Sequence, residues 1–486
     1  MCLNPQLKRT SRIRPSGLAG VTKFPWPKHM HDPANTGYSE SPAPNMNHLL
    51  WKFNTGGWVF SSPSVEDGHI FVGSETGKIY CLDQETGEPV WSYRTGGSIF
   101  SSHAVAYGLV YVGSRDGYVY CLDQGTGELV WKYKTGNSIY SSPAVVPSPK
   151  MVTGREPFGA RLFVGSFDFY VYCLGAVDGD LRWKTRLGHS VYSSPAVVDP
   201  RVYIGCHDLY LHALDTETGK EVWLSPKTGY YGIYAPSVAD GKVYFGSSDH
   251  IIYCLDAETG KQMWTFKMGE HAAFGIALAY KKAYLGSGDG YIYCLDQSTG
   301  ELVWKYKTEG PNSMTPAVAD GKVYVGSTDH FVYCLDANTG QLIWKYETGD
   351  ELRGYGAAVA DGKVYVGSKD GHVYCFGKGP TATTIIHIDP KLTLRESTTI
   401  YGGLFDRSPA SPEEPLAMMP ITLTYAILGE EYKEIVKVET DVRGCFVYKW
   451  APLVEGTYNL TASFAGNESY EPSATTVILQ VTTAPP

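Results

Sequence analysis

The sequence predicts an all-β chain, and three observations carry that prediction. Tyr, Gly and Trp are abundant, at 36, 54 and 11 of 486 residues, while windows rich in helix-forming Ala, Leu, Glu and Lys are scarce. Trp51, Trp91, Trp131, Trp183, Trp223, Trp264, Trp304 and Trp344 recur in matching contexts, at spacings of 40, 40, 52, 40, 41, 40 and 40. Between them, Gly- and Asp-bearing turn signals fall about every ten residues, the spacing of short antiparallel strands.

One unit reads "SMTPAVADGKVYVGSTDHFVYCLDANTGQLIWKYETG". Its signals "ADG", "GSTDH" and "DANTG" divide it into four strands, because Asp and Asn side chains bond nearby backbone groups and Gly supplies positive φ. Four strands in a period near 40 residues predict a β-propeller blade. The array opens on a lone fourth strand, "LLWKFNTGG", runs through seven complete units, and closes with three strands in "GAAVADGKVYVGSKDGHVYCFG". The expectation is an eight-bladed β-propeller closed by the N-terminal strand, which leaves no sheet edge open. The single long interval holds the inserted loop "PSPKMVTGREPFG", residues 147–159. The predicted domains are a basic tail and lead-in over 1–45, the propeller over 46–379 and a second β domain over 380–486.

The recurring groups read as packing and turn chemistry. An indole on each outer strand seals neighbouring blades, worth up to about 5 kcal/mol of burial. Cys81, Cys121, Cys173, Cys254, Cys294, Cys334 and Cys375 share one third-strand position, with Ala213 in the remaining unit. Packed sheets lie about 10 Å apart and a disulfide needs Cα atoms within about 7 Å, so these thiols are expected free and buried. Cys2, Cys206 and Cys445 are isolated in the sequence, and no metal site is predicted. Asp116, Asp168, Asp208, Asp249, Asp289, Asp329 and Asp370 fall in the second hairpin; Asp83, Asp123, Asp215, Asp256, Asp296 and Asp336 precede the "TG" turn. Calcium would need several oxygens converging from one loop.

A net charge of −9 argues against a nucleic-acid partner. The first 28 residues are basic like the start of an export signal, without the apolar stretch that follows one. No run reaches a membrane span; the nearest, "PLAMMPITLTYAIL", is short and broken by Pro420. An extracellular or cell-surface location and a monomer are expected, although unpaired cysteines are unusual in oxidising compartments.

Residues that depart from the repeat mark a candidate ligand site. Entering the first strand, early units carry Ser61, Ser101, Ser141 and Ser193, while later ones align Tyr234, Phe274 and Met314, then Tyr355 after a one-residue slip. Trp58, Tyr230, Tyr231, Glu270, His271, Asp350, Glu351 and Arg353 stand just before them. The predicted ligand-binding set is Trp58, Tyr230, Tyr231, Tyr234, His271, Phe274, Arg353 and Tyr355, over one half of the channel. Larger residues plugging a wide channel are the competing explanation.

After "GKGP" the period stops, and about seven alternating segments over a hundred residues predict an immunoglobulin-like sandwich. "GTYNLTASFAGNESYEPSATT" resembles the closing part of Ig-like modules of prokaryotic surface proteins, and carries possible glycosylation acceptors at Asn459 and Asn467.

"LDxxTGxxxW" followed by "SSPAVxxGxVYVGSxDGxVY" resembles the PQQ-like propeller repeat of quinoprotein dehydrogenases and BamB-type outer-membrane assembly lipoproteins, over roughly residues 50–378. The stretch "FPWPKHMHDPANTGYSESPAP" resembles the lead-in of secreted members. The dehydrogenase resemblance implies a vicinal cysteine pair and Glu, Asn and Asp around calcium on the quinone. This chain has no adjacent cysteines and no such set among its departures, so neither PQQ nor calcium is expected and no catalytic residue is assigned. The assembly-factor resemblance implies a lipobox cysteine after a signal peptide, and Cys2 lacks the preceding apolar segment. The predicted function is a non-catalytic surface or secreted scaffold binding a protein, peptide or carbohydrate. A PQQ-dependent oxidoreductase and an envelope assembly factor are the alternatives.

Overall fold

Turn chemistry sets the strands of every repeat. The computed structural model describes residues 23–483, except 148–158, 230–231, 272–274, 380, 389–390, 396, 408–414, 429 and 468–469. In "DANTG", Asp336 accepts the Asn338 and Thr339 amides at 3.0 and 2.8 Å and the Thr339 hydroxyl at 2.9 Å. In the second hairpin, Asp329 accepts the Phe331 amide at 3.0 Å and the Tyr333 phenol at 2.8 Å. It also accepts the Glu309 amide, at 2.9 Å, from the loop entering the blade. These acids are turn and clamp residues, as their spacing predicts.

The described residues form eight antiparallel four-stranded sheets in this pattern. Blades one to seven span 64–94, 104–134, 144–186, 196–224, 237–267, 277–307 and 317–347. Blade eight combines 358–376 with the N-terminal strand Leu49–Asn54, whose Trp51 lies opposite Cys375 as Trp344 lies opposite Cys334. The first strands adjoin one another in a closed circuit, Ser64–Glu66 lying between Ala104–Ala106 and Ala358–Ala360. Of the inserted loop, residues 148–158 lie outside the described residues.

Seven of the eight recurring indoles bond the next blade. Trp304 Nε1 donates to the Ala337 carbonyl at 3.1 Å, and Trp91, Trp131, Trp183, Trp223 and Trp264 repeat the bond at 2.9–3.3 Å. The "TG" glycine packs on that indole: a Cβ on Gly300 would stand 2.6 Å from the Trp264 ring, at φ +77°. The recurring cysteines are free and buried, and burial pushes the Cys173 thiol up to about 12.

The lead-in is part of the ring. Its backbone follows the channel-side edges of the first strands: Val65 donates to Trp26, Val105 to Pro27, Val197 to Pro33, Val238 to Ala34, Leu278 to Thr36 and Val318 to Gly37, at 2.6–2.9 Å. Tyr38–Ser39 then adds a parallel strand to blade seven, and Pro44 accepts the Trp344 indole N–H at 3.3 Å. Edges left open by the repeat are thereby paired. Lys28 is buried and donates to Asn35, whose own amide nitrogen reaches the Pro195 and Pro236 carbonyls at 3.2 and 2.9 Å.

The C-terminal residues form a sandwich with its own core. Thr381–His387, Thr398–Asp406 and Cys445–Trp450 make one sheet; Lys391–Thr393, Ser473–Thr482, Gly456–Phe464, Pro420–Ile427 and Lys433–Glu439 make the other, in that order. Ile400, Leu404, Phe446 and Trp450 pack from the first against Leu423, Tyr458, Leu460 and Leu479 of the second. No helix of the described residues is long and apolar enough to cross a membrane.

Candidate functional site

The loops entering the first strands build the channel mouth. In "SS" pairs the first hydroxyl ties its own blade, as the Gly73, Gly113 and Gly165 amides donate to Ser61, Ser101 and Ser141 at 2.9, 3.1 and 3.1 Å. The second forms a hoop across blades: the Ser62 amide donates to Ser102 Oγ, Ser102 to Ser142 and Ser142 to Ser194, at 2.8, 3.0 and 2.9 Å. These serines are scaffold, and they fix the residue just before each pair.

That residue is aromatic in four successive blades. Ring centroids run Trp58 to Phe60 at 5.7 Å, Phe60 to Phe100 at 4.8 Å, Phe100 to Tyr140 at 5.5 Å and Tyr140 to Tyr192 at 5.4 Å. Phe167 packs on Tyr140 at 4.7 Å, and His207 stacks on Tyr192 at 6.2 Å. All are half-buried except Trp58, which is exposed. The Arg115 guanidinium lies 5.5 and 5.7 Å from the Phe100 and Tyr140 centroids, and the Lys369 ammonium 4.6 Å from Trp58. Lys369 and Arg353 share the Glu351 carboxylate, at 3.0 and 2.8 Å. The result is an aromatic shelf with cations at its rim, an arrangement that holds flat or apolar groups flanked by negative charge.

Tyr355 closes the shelf from across the channel. It is buried, stacks on Tyr192 at 6.4 Å, meets His29 of the lead-in edge-on at 5.1 Å and donates to the Tyr140 carbonyl at 2.8 Å. Burial, with Tyr192 and Tyr140 beside it, holds its phenol well above the usual range. His29 is fully buried, with Nδ1 3.2 Å from Ser62 Oγ; burial, then Lys28, holds its imidazole well below the usual range.

The other predicted residues distribute differently. Trp58 and Arg353 meet the Glu351 and Lys369 group. His271 is exposed beside Glu270, at 3.9 Å, on the opposite arc. Tyr230, Tyr231 and Phe274 lie outside the described residues. Tyr234 is half-buried, and its register differs from the sequence alignment. The Gly73, Gly113, Gly165 and Gly205 Cα atoms face Ile99, Ile139, Val191 and Ile233 respectively, so Ile233 matches Val191 and Tyr234 matches Tyr192, not Ser193. The loop is one residue shorter there. The early blades therefore carry rings at the mouth, where small hydroxyls alone were expected. Phe60, Phe100, Tyr140, Phe167, Tyr192 and Arg115 were missed; the aromatic preceding "SS" was the signal. Also missed was the grouping of Cys206, Asp208 and His212 in blade four, whose donor atoms all lie within 4.8 Å of one another. In the sandwich, Asn459 is half-buried on a strand opposite Ile478, and Asn467 is exposed.

Residues 43–154, 147–251 and 248–378 match the family described as outer membrane protein assembly factor BamB. No curated protein matches the chain. Among solved structures it is similar to the computationally designed Ika8 protein, at 18% identity and TM-score 0.60, covering 68% of this chain and 100% of that one. BamB from Moraxella catarrhalis is similar at 20% identity and TM-score 0.57, with 68% and 100% covered. Quinohemoprotein alcohol dehydrogenase from Comamonas testosteroni is similar at 16% identity and TM-score 0.62, with 73% and 80% covered. At such identities the shared property is the propeller fold. The family match spans most of the chain and coincides with the blades, and the chain belongs to this PQQ-like, BamB-type repeat family.

Proposed function

We propose that the chain is a non-catalytic binding scaffold of the cell surface or secreted space, whose channel mouth takes a polypeptide segment. The carrying observation is the half-exposed shelf from Trp58 to Tyr192, rimmed by Arg115, Lys369 and Arg353. Each aromatic contact is worth about 0.5–1.5 kcal/mol beyond burial, so contacts in series add to the area buried on binding. Apolar or aromatic side chains with acidic neighbours fit best; a sugar is the other ligand that stacks on such rings.

The quinone reading gains no support from the channel. Tyr355 bonds Tyr140 and meets His29 at the mouth, Glu351 is engaged by Lys369 and Arg353, and Glu270 stands beside His250 and His271. Among the described residues, these pairings favour a channel without a quinone held through calcium. A role in outer-membrane protein assembly is the second reading, favoured by the family match. The C-terminal sandwich reads as an Ig-like spacer or adhesive unit. Its strand order, with Lys391–Thr393 parallel to Ser473–Thr482, and the Tyr458 phenol donating to the Val454 carbonyl at 2.6 Å fit that class.

Selection of displayed random peptides on the immobilised full chain tests the proposal. Peptides rich in aromatic residues are expected, with at least tenfold weaker binding to the Trp58→Ala/Phe100→Ala variant. Peptides that bind this variant equally well discard the shelf.

A further inference from the structure

We propose that Cys206, Asp208 and His212 form a site for a zinc-class divalent cation on blade four. The other seven blades provide an internal control. Their second hairpin reads Ser, two residues on Asp or in one case Thr, and four further on Tyr, as in Ser327, Asp329 and Tyr333. Blade four alone replaces both the Ser and the Tyr, and both replacements are metal-ligating residue types.

The geometry follows from that exchange. Where Tyr333 donates its phenol to Asp329, the His212 imidazole occupies the equivalent place, with Nε2 3.0 and 3.3 Å from the Asp208 carboxylate oxygens. Its Nδ1 lies 2.7 Å from Glu221, at an outer-strand position where the other blades carry Leu, Pro or Gln. A carboxylate on Nδ1 orients a histidine and leaves Nε2 for a cation. Cys206 Sγ completes the trio, and the three donor atoms lie within 4.8 Å of one another. Zinc bonded at about 2.0–2.3 Å sets donor separations of roughly 3.5 Å, a contraction within reach of side-chain rotation.

Asp208 also keeps its turn role, accepting the Tyr210 and Gly188 amides at 3.2 and 2.9 Å, so its position is fixed independently of any ion. Its side chain is 15% exposed and that of Glu221 46%, which gives a route from solvent and room for water as fourth ligand. Burial pushes the Cys206 thiol up to about 12 in the metal-free chain; coordination deprotonates such a thiol outright.

The test uses the full chain, stripped by chelator and titrated with Co2+ as spectroscopic probe, then with Zn2+ against a chromophoric chelator. One equivalent of Co2+ is expected to give a thiolate-to-metal charge-transfer band that Zn2+ removes. Cys206→Ser and His212→Tyr introduce the residues of the other blades and so suit the fold, which near-ultraviolet circular dichroism checks. Cys206→Ser abolishes the band, each variant lowers zinc affinity at least 100-fold, and Glu221→Leu lowers it roughly 10–100-fold. No stoichiometric binding, a band surviving Cys206→Ser, or unchanged affinity in the two variants overturns the proposal and leaves an ion pair.

Discussion

The Tyr355 phenol donates to the Tyr140 carbonyl at 2.8 Å, joining the entry loop of blade eight to that of blade three across the channel. The bond makes the mouth a single surface: the shelf begins at Trp58, beside blade eight, and its far end packs under Tyr355.

Tyr355→Phe keeps the ring and removes the donor. The expected loss is about 0.5–1.5 kcal/mol, the net worth of one hydrogen bond at a half-buried carbonyl. A lower urea midpoint at unchanged slope for the propeller transition is the readout. An unchanged midpoint would show that the bond does not brace the mouth.

Glycines of similar φ but different surroundings separate two costs. Gly321, at φ +70°, has nothing within 4 Å of a built Cβ, so Gly321→Ala costs about 1 kcal/mol of left-handed strain. Gly300→Ala adds overpacking against the Trp264 ring, about 1–3 kcal/mol more. Equal melting temperatures for the two variants would remove the indole face from the account.

Glu66 gives stability a defined pH window. Burial, then Asp67, raises its carboxyl from 4.5 to about 7. Between those values the folded chain keeps a proton that the unfolded chain releases, so this contribution is full below about pH 4.5 and is lost as pH rises through 7. Glu66→Gln is expected to remove a fall of about 3 kcal/mol over that interval, read from urea midpoints at each pH. A wild-type profile flat across it contradicts the assignment.

Thiol accessibility checks the packing. Cys445 is partly exposed, while Cys81, Cys121, Cys173, Cys206, Cys254, Cys294, Cys334 and Cys375 are buried and free. A thiol reagent should label Cys445 quickly in the native chain and these eight buried thiols only on unfolding. Fast native labelling of Cys294 would show that the blades do not pack as described.

Much of this architecture is legible in the sequence because each device is written many times. One indole per blade, an Asp-Thr-Gly turn in six blades and a clamp aspartate in seven predict strand, turn and contact together. The lead-in was not legible as part of the ring. It is held mainly by backbone bonds, such as Val105 to Pro27, which leave no side-chain pattern. The shelf was hidden by the one-residue shortening before Pro236, which set Tyr234 against Ser193 in the alignment. The blade-four trio was hidden because its members look ordinary singly and stand out only against Ser327 and Tyr333.

Ring closure by Leu49–Asn54 underlies the mouth, since it sets Trp58 beside Lys369. Native-state hydrogen exchange measures it most directly. Amides of Leu49–Asn54 paired with His372–Phe376 should open with the global transition, as slowly as those of Leu342–Glu347 in blade seven. Exchange of Leu49–Asn54 at the rate of a frayed terminus, with blade seven still protected, would contradict a closed ring.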